Sequence, residues 1–270
     1  DEIVKTVSQI EWIPEHGEQL ELDWLRNMGD WMISKKRYWG LALPIWRCAD
    51  PECDWFDVIG SKDELEKRCI EGWEQFEGKS PHKPQVDGLV IKCEKCGGKA
   101  HRIKDVGNPW LDAGIVPYST VHYNTDRAYW EKWIPADLVL ECFPGQFRNW
   151  FYSLLAMSTM MENIPPFRTL LGHALVRDEH GKKMSKSKGN VIDPLNVIDV
   201  YGTDAFRFTL SAFAAQGRDI KMSEKRVEGY RHFINKLWNA ARFAGMHLNQ
   251  PEDLPPAAQL AVPDRWILSR

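Results

Sequence analysis

The chain has 270 residues, 43% hydrophobic and 27% charged, with 13 Trp and a formal net charge of −3. That length supports a sizeable core and about two domains, while the slightly acidic balance excludes a protein that holds nucleic acid through a global positive field and leaves only local basic patches for such a partner. No apolar run approaches the roughly twenty residues of a membrane span, the start Asp1-Glu2-Ile3-Val4-Lys5 lacks a signal peptide's apolar region, and the six Cys form no dense disulfide pattern, so a reducing, cytoplasmic setting is expected.

In chain order, residues 1–47 are Trp-rich. Trp24-Leu25 through Trp31-Met32-Ile33 has roughly helical apolar spacing, and Leu41-Ala42-Leu43-Pro44-Ile45-Trp46 reads as a buried strand. Residues 48–98 hold two cysteine pairs, Cys48/Cys53 and Cys93/Cys96, around a charged insert from Lys62 to Phe76 that reads as helical. Four thiolates in two such knuckles suit tetrahedral zinc with no open coordination position, hence a staple rather than a catalyst; the alternative is four ordinary free thiols. Cys69 and Cys142 fall outside the pattern and read as small packing residues.

From 99 to 190 the pattern alternates. Ala136 to Glu141 reads as a buried strand, Arg148 to Met161 as a helix, and Thr169 to Val176 as another strand. Strand, helix, strand predicts an α/β domain with a doubly wound parallel sheet, and ligands beyond the carboxyl ends of its strands. The loop that follows, Gly181-Lys182-Lys183-Met184-Ser185-Lys186-Ser187-Lys188-Gly189-Asn190, packs four lysines, two serines and two glycines into ten residues. Such a loop can close over a polyphosphate through ammonium charge, hydroxyls and backbone N–H groups; taken on its lysines alone, it equally describes a solvated face.

After Asn190 the character turns helical. Helices are predicted from Asp193-Pro194 to about Tyr201, from Asp204 to Ala215 and from Ser223 to Leu248, the last with Val227, Tyr230, Ile234, Leu237 and Trp238 on one face. Residues 252–263 read as a Pro/Ala-rich linker, and Asp264-Arg265-Trp266-Ile267-Leu268 begins a further element.

Lys183-Met184-Ser185-Lys186-Ser187 followed by Gly189-Asn190 resembles the second signature of class I aminoacyl-tRNA synthetases. The resemblance extends over most of the chain. Asp30 through Gly40 and Pro44-Ile45-Trp46 look like the segment that re-enters the catalytic domain after the editing insertion in the isoleucine, valine and leucine enzymes, Asn108 through Gly114 like the family's Trp-Phe-Asp-Ser-Gly region, and Glu141 through Phe151 like the segment that approaches the aminoacyl-adenylate. The implied architecture is half of a Rossmann-type nucleotide-binding domain (1–47 and 99–190) carrying a zinc-knuckle insert (48–98), then an α-helical connecting, stem-contact domain (191–250), then a linker and the start of an anticodon-binding domain (251–270).

The implied reaction is attack of an amino-acid carboxylate on the α-phosphate of ATP with Mg²⁺, then transfer of the aminoacyl group to tRNA. The same resemblance implies that Lys183 and Lys186 hold the pyrophosphate part of ATP, that Met184, Ser185 and Ser187 complete the loop, and that Gly172 and His173 lie near the adenine. It places Trp110 and Trp150 as aromatic walls of a small aliphatic pocket, with Gln146 and Glu141 beside the substrate. Residues 24–180 look isoleucyl-like and 183–245 valyl-like, so a branched aliphatic substrate is expected, isoleucine ahead of valine. Two departures stand out. Gly145 occupies the place of an Asp that commonly contacts the ATP ribose, and the first signature, His-x-Gly-His, does not occur in these residues; the expectation is the second half of a catalytic domain, weak or inactive without its N-terminal half. A non-catalytic, synthetase-derived tRNA-binding module, using basic helices at Lys225-Arg226 and Arg231-His232, is the alternative from a different class.

Overall fold

The computed structural model describes residues 1–143, 145–214, 218–247, 256 and 259–270. The chain divides into two compact units, Asp1–Ala174 and Leu175–Arg270. The lysine-rich loop therefore groups with the helices that follow it.

In the first unit a three-stranded parallel sheet has Phe167–His173 at its centre, flanked by Glu11–Ile13 and Ala136–Cys142. The parallel pair Ala136–Cys142 and Phe167–His173 is joined through the helix Trp150–Met161, as the alternating pattern predicts. The core beneath is aromatic. The rings of Phe143 and Phe147 lie 4.7 Å apart, and Phe151 meets Phe147 edge-on at 5.8 Å, arrangements favoured by the ring quadrupole. Two glycines make room for it: a Cβ on Gly172 would run into the Phe143 ring, and one on Gly17 would sit 2.8 Å from it.

Three expectations need correction here. Ala136–Cys142 is not a buried strand: Val139 is 8% exposed, but Leu138 and Leu140 are 53% and 54% exposed, because this is an edge strand with a single covered face among the described residues. The helix over 24–33 stops at Asn27; Met28 is extended (φ −73°, ψ 148°) ahead of Gly29. Tertiary contacts hold the extended chain, Asn108 binding the carbonyls of Met32 (3.0 Å) and Ile33 (2.8 Å) through its side chain and backbone N–H. The strand expected over 41–46 begins only at Ile45, while Leu41 and Ala42 form isolated bridges to His82 and Val106.

The cysteine-bearing insert is a five-stranded antiparallel sheet in the order Phe56–Val58, Ile45–Cys48, Lys99–Arg102, Val90–Lys92, Cys69–Glu71. The buried Trp46 sits at its heart and donates from Nε1 to the Leu89 carbonyl at 3.3 Å. The helix expected from Lys62 to Phe76 is two: Lys62–Arg68, capped by the Ser61 hydroxyl, and Trp73–Phe76. Between them Cys69–Glu71 pairs as an edge strand, and Gly72 turns at φ +92° with the Gly88 carbonyl against its Cα, a place no side chain fits.

In the second unit Val176–Arg177 pairs in parallel with Ile220–Lys221. The strand expected over 169–176 is thus broken after His173 and resumes in a different sheet. Pro194–Tyr201 starts on an Asp193 cap whose carboxylate accepts from the Leu195 N–H at 2.9 Å, with Pro at the first turn where its missing N–H costs nothing. Thr203–Phe213 and Glu224–Met246 complete the packing around Val197, Ala205, Met222 and Val227. The shared apolar face of the long helix leaves this core after Ile234: Leu237 and Trp238 are exposed. Ala215 and Leu248, the expected helix ends, and half of the expected linker (252–255, 257 and 258) lie outside the described residues, while its last two residues already belong to the helix Val262–Leu268. Among the described residues, no helix is long and apolar enough to cross a membrane.

Candidate functional site

The lysine loop is ordered by two residues that flank it. Asp178 Oδ1 accepts from the backbone N–H groups of Lys182 (2.7 Å) and His180 (3.1 Å), and its Oδ2 accepts from Asn190 Nδ2 at 2.8 Å. Asn190 Oδ1 in turn accepts from the Ser185 N–H at 3.0 Å. The Asn190 amide, then the Lys182 N–H, hold the Asp178 carboxyl below its ordinary range. Lys186–Lys188 forms one 3₁₀ turn that closes on Gly189 in the left-handed region, φ +65°. The hydroxyls of Ser185 and Ser187 lie 3.1 Å apart. Lys183 and Lys186 are exposed, Met184 and Ser185 half-buried, and among the described residues no carboxylate pairs with any of the four lysines. A cavity of about 480 Å³ opens beside the clamp, lined by Asp178, Asn190 and Lys225 among others. Asp178 is the residue that the lysine pattern missed, although Asp178-Glu179-His180-Gly181 carries a turn signal of its own.

In the first unit the sheet brings three of the expected residues together. Glu141 and Gly172 are register partners at the carboxyl ends of adjacent strands, and the Phe143 N–H donates to the His173 carbonyl at 2.8 Å. Glu141 accepts from the Cys142 N–H at 2.8 Å. His173 is exposed, with Nδ1 2.9 Å from the Ala174 carbonyl. Gln146 is bound internally, its Oε1 accepting from the Trp150 N–H at 3.2 Å at the start of Trp150–Met161. Trp110 stands in the first turn of Pro109–Ser119, capped by Asn108. The two tryptophan-bearing helices touch where Gly114 leaves no room for a Cβ against the Ser153 carbonyl. Both indoles are half-buried. A Cβ on Gly145 would meet open space. An apolar cavity of about 470 Å³ lies elsewhere in this unit, lined by Leu43, Pro44, Trp46, Leu111, Asp112 and others, and includes none of the expected substrate residues.

The four cysteines converge as their spacing predicts. All four Sγ atoms lie within 4.8 Å of one another, Cys48 and Cys96 at 3.4 Å and Cys53 and Cys93 at 3.8 Å, with no disulfide. Tetrahedral zinc with bonds of about 2.3 Å separates sulfurs by about 3.8 Å, so the quartet fits the ion. Gly97 (φ +77°) makes the knuckle turn, and the Gly98 N–H reaches the Cys96 sulfur at 3.4 Å. Burial opposes ionisation of Cys93, but the N–H groups of Cys96 and Lys95 bring its thiol down to about 7. At Cys48 the Asp50 N–H favours the thiolate, yet burial and the neighbouring sulfurs push it up to about 12. A dication at the centre would relieve that mutual opposition. Cys69 and Cys142 are half-buried outside the quartet, their Sγ atoms 3.0 Å from the carbonyls of Glu71 and Phe143.

The family described as tRNA synthetases class I (I, L, M and V) matches residues 1–223. The isoleucine–tRNA ligase of Methanothermobacter thermautotrophicus is 38% identical over the whole chain, and the valine–tRNA ligases of Syntrophotalea carbinolica and Desulfotalea psychrophila are 40% and 39% identical over 100% and 97% of it. The chain belongs to the class I tRNA synthetase family. It spans about a quarter of these relatives, 26% of the first and 27% of the other two. Among solved structures, Mycobacterium tuberculosis methionyl-tRNA synthetase bound by methionyl-adenylate covers 99% of this chain (43% of its own) with TM-score 0.60 at 16% identity. The Agrobacterium radiobacter K84 LeuRS–tRNA–LeuAMS complex covers 83% (31% of its own) with TM-score 0.56 at 22% identity. At these identities the likeness is one of fold.

Proposed function

We infer that the protein of which this chain forms part activates a branched aliphatic amino acid with ATP and Mg²⁺ and transfers it to tRNA. What supports this most directly is the lysine loop: Lys183 and Lys186 stand on a turn pinned by Asp178 and Asn190, exposed and without a carboxylate partner among the described residues. Fixed, unneutralised cations suit the charge that develops on a departing pyrophosphate, and their preorganisation is what makes such contacts effective in a transition state. Lys186 is the principal contact and Lys183 the second. Met184 is the loop's half-buried anchor, and the Ser185 and Ser187 hydroxyls donate hydrogen bonds. Glu141, Gly172 and His173, at the carboxyl ends of paired strands, serve the adenylate, Gly172 through its backbone, since the room left by its missing side chain is taken by the Phe143 ring. Trp110 and Trp150 wall the aliphatic pocket by apolar burial. Gln146 orients the substrate from the 3₁₀ turn Gly145–Arg148 that leads into the Trp150 helix.

Isoleucine is favoured over valine because Gln146 through Phe151, the segment nearest the expected pocket, has the isoleucyl pattern. Ligases for both amino acids match at similar identity, so overall similarity does not decide between them. Zinc held by Cys48, Cys53, Cys93 and Cys96 would staple the insert; a closed four-thiolate shell supplies no Lewis acid to the reaction. The His-x-Gly-His signature belongs to a segment outside these residues, and full activity requires it.

Limited trypsinolysis tests the loop. ATP with Mg²⁺ is expected to slow cleavage at Lys182–Lys188, and Lys186→Ala to abolish that protection. RNA binding without any nucleotide protection would instead favour the non-catalytic module.

A further inference from the structure

The helix Pro109–Ser119 serves two sides of the first unit. Trp110 and Gly114, one turn apart, share a face, and a Cβ on Gly114 would strike the Ser153 carbonyl of the Trp150 helix. Leu111, Asp112 and Ile115 instead form one wall of the apolar cavity of about 470 Å³. The facing wall belongs to the cysteine-bearing insert and its approach, with Leu43, Ile59, Leu65 and Phe76 all buried. An opening of that size departs from the dense packing of protein interiors. A mostly apolar cavity of several hundred Å³ with a few polar groups is the usual form of a small-molecule site.

The polar groups decide what such a cavity would hold. Arg102 is already committed. Its side chain is fully buried, its Nε donates to Asp87 at 2.8 Å, and its Nη1 donates to the carbonyls of Leu43 and Asp105 at 3.1 and 2.8 Å. Lys62 and Lys79 are exposed, so water screens their charge at the rim. Asp112 differs from all three. It is half-buried, and among the described residues its carboxylate has neither a hydrogen bond nor an ion pair. A Cβ on Gly107, another lining residue, would stand 3.4 Å from its Oδ1, so the glycine leaves room beside that oxygen. Burial raises this carboxyl above its ordinary range, outweighing the opposite effect of the nearby His82. An anion in such a place is costly without a counter-charge, and a ligand's ammonium would supply one.

We propose that this cavity binds a small amphipathic amine, its aromatic or branched aliphatic body against the apolar walls and its ammonium paired with Asp112. The site shares no residue with the lysine loop or with the expected amino-acid pocket, so it stands or falls independently of the ligase reading.

The test is titration by ligand-observed saturation-transfer NMR, using the 270-residue chain and three indoles of similar shape: tryptamine, the neutral alcohol tryptophol and the anion indole-3-propionate. Tryptamine is expected to bind about tenfold more tightly than tryptophol, the effect of one charge-assisted hydrogen bond, and indole-3-propionate most weakly. Asp112→Asn keeps the side chain's shape and removes its charge, so it should bring tryptamine to the affinity of tryptophol. Ile115→Trp should fill the cavity and weaken both; should that variant lower the thermal midpoint, Asp112→Asn carries the test alone. The proposal is overturned if the three indoles bind alike, or if tryptamine binds Asp112→Asn as it binds the wild type. Loss of tryptamine binding in Trp150→Ala but not in Ile115→Trp would put the amine in the expected amino-acid pocket and equally overturn it. So would loss of binding on adding the segment that carries the first signature, because that segment would then fill the cavity itself.

Discussion

Asn190 donates from Nδ2 to Asp178 Oδ2 at 2.8 Å, twelve positions back along the chain, and so closes a clamp around the lysine loop. The same Asp178 takes two backbone N–H groups from within that span. Hydrogen bonds to an ionised carboxylate are stronger than neutral ones, and three of them converge on this one group.

Asp178→Ala should therefore loosen the loop without unfolding the unit. The expected result is roughly tenfold faster tryptic cleavage between Lys182 and Lys188 with unchanged far-ultraviolet circular dichroism. Because the folded state holds Asp178 below its ordinary range, the clamp is intact above that range and is lost as the pH falls through the lowered value. Unchanged cleavage would show that the 3₁₀ turn holds itself.

The cysteine quartet predicts about one zinc per chain by elemental analysis. Chelation should lower the thermal midpoint, and Cys93→Ala, which removes a fully buried sulfur from the quartet, should abolish stoichiometric binding. Metal-free protein with an unchanged midpoint would show instead that the five-stranded sheet is held by its Trp46-centred core.

Glu21 is fully buried, neither carboxylate oxygen has a hydrogen-bond partner among the described residues, and burial pushes it from its ordinary 4.5 up to about 9. The folded state thus keeps a proton that the unfolded chain releases between these values, so stability falls as pH rises through that window. From this group alone the fall from pH 5 to pH 7.5 is about 3 kcal/mol. Denaturant unfolding at the two pH values should show it, and Glu21→Gln should flatten the difference. An equal slope in the variant would place the ionisation elsewhere.

Gly172 explains itself sterically before any ligand is considered. Alanine there would drive a methyl group into the Phe143 ring at the centre of the aromatic core. Overpacking of this kind costs about 3 kcal/mol, readable as a lower denaturation midpoint. Gly145→Ala, facing open space, should change stability by under about 1 kcal/mol and serves as the comparison.

Much of this was legible in the chain, and the misses share a cause. Local chemistry marked the Asp193-Pro194 helix start, the cysteine knuckles and the lysine loop, because caps, ligand spacing and charge runs are written in adjacent residues. What periodicity could not convey was which neighbour an element meets. Leu138 and Leu140 look buried until the strand proves to be an edge. Leu237 and Trp238 keep the helical spacing of Val227 and Ile234 but outrun the core. The break after His173 moves Val176 into a sheet with Ile220, a partner more than forty residues away. Asp178 differs: two of its three donors, the His180 and Lys182 N–H groups, are local and signalled by its own turn, and only the link to the Asn190 side chain, twelve positions on, is not written in adjacent residues. Trp110 and Trp150 remain assigned by family likeness, since their half-burial alone describes core as readily as a pocket wall.

The central claim is that the pinned lysines act on ATP during amino-acid activation. The most direct measurement is amino-acid-dependent ATP–pyrophosphate exchange by the chain together with the segment carrying the first signature, tested with isoleucine, valine and leucine separately and repeated with Lys186→Ala. Exchange greatest with isoleucine, reduced by about 100-fold in the variant with isoleucine affinity unchanged, is the predicted result. Exchange indifferent to Lys186, or none at all from an associated mixture, would contradict it.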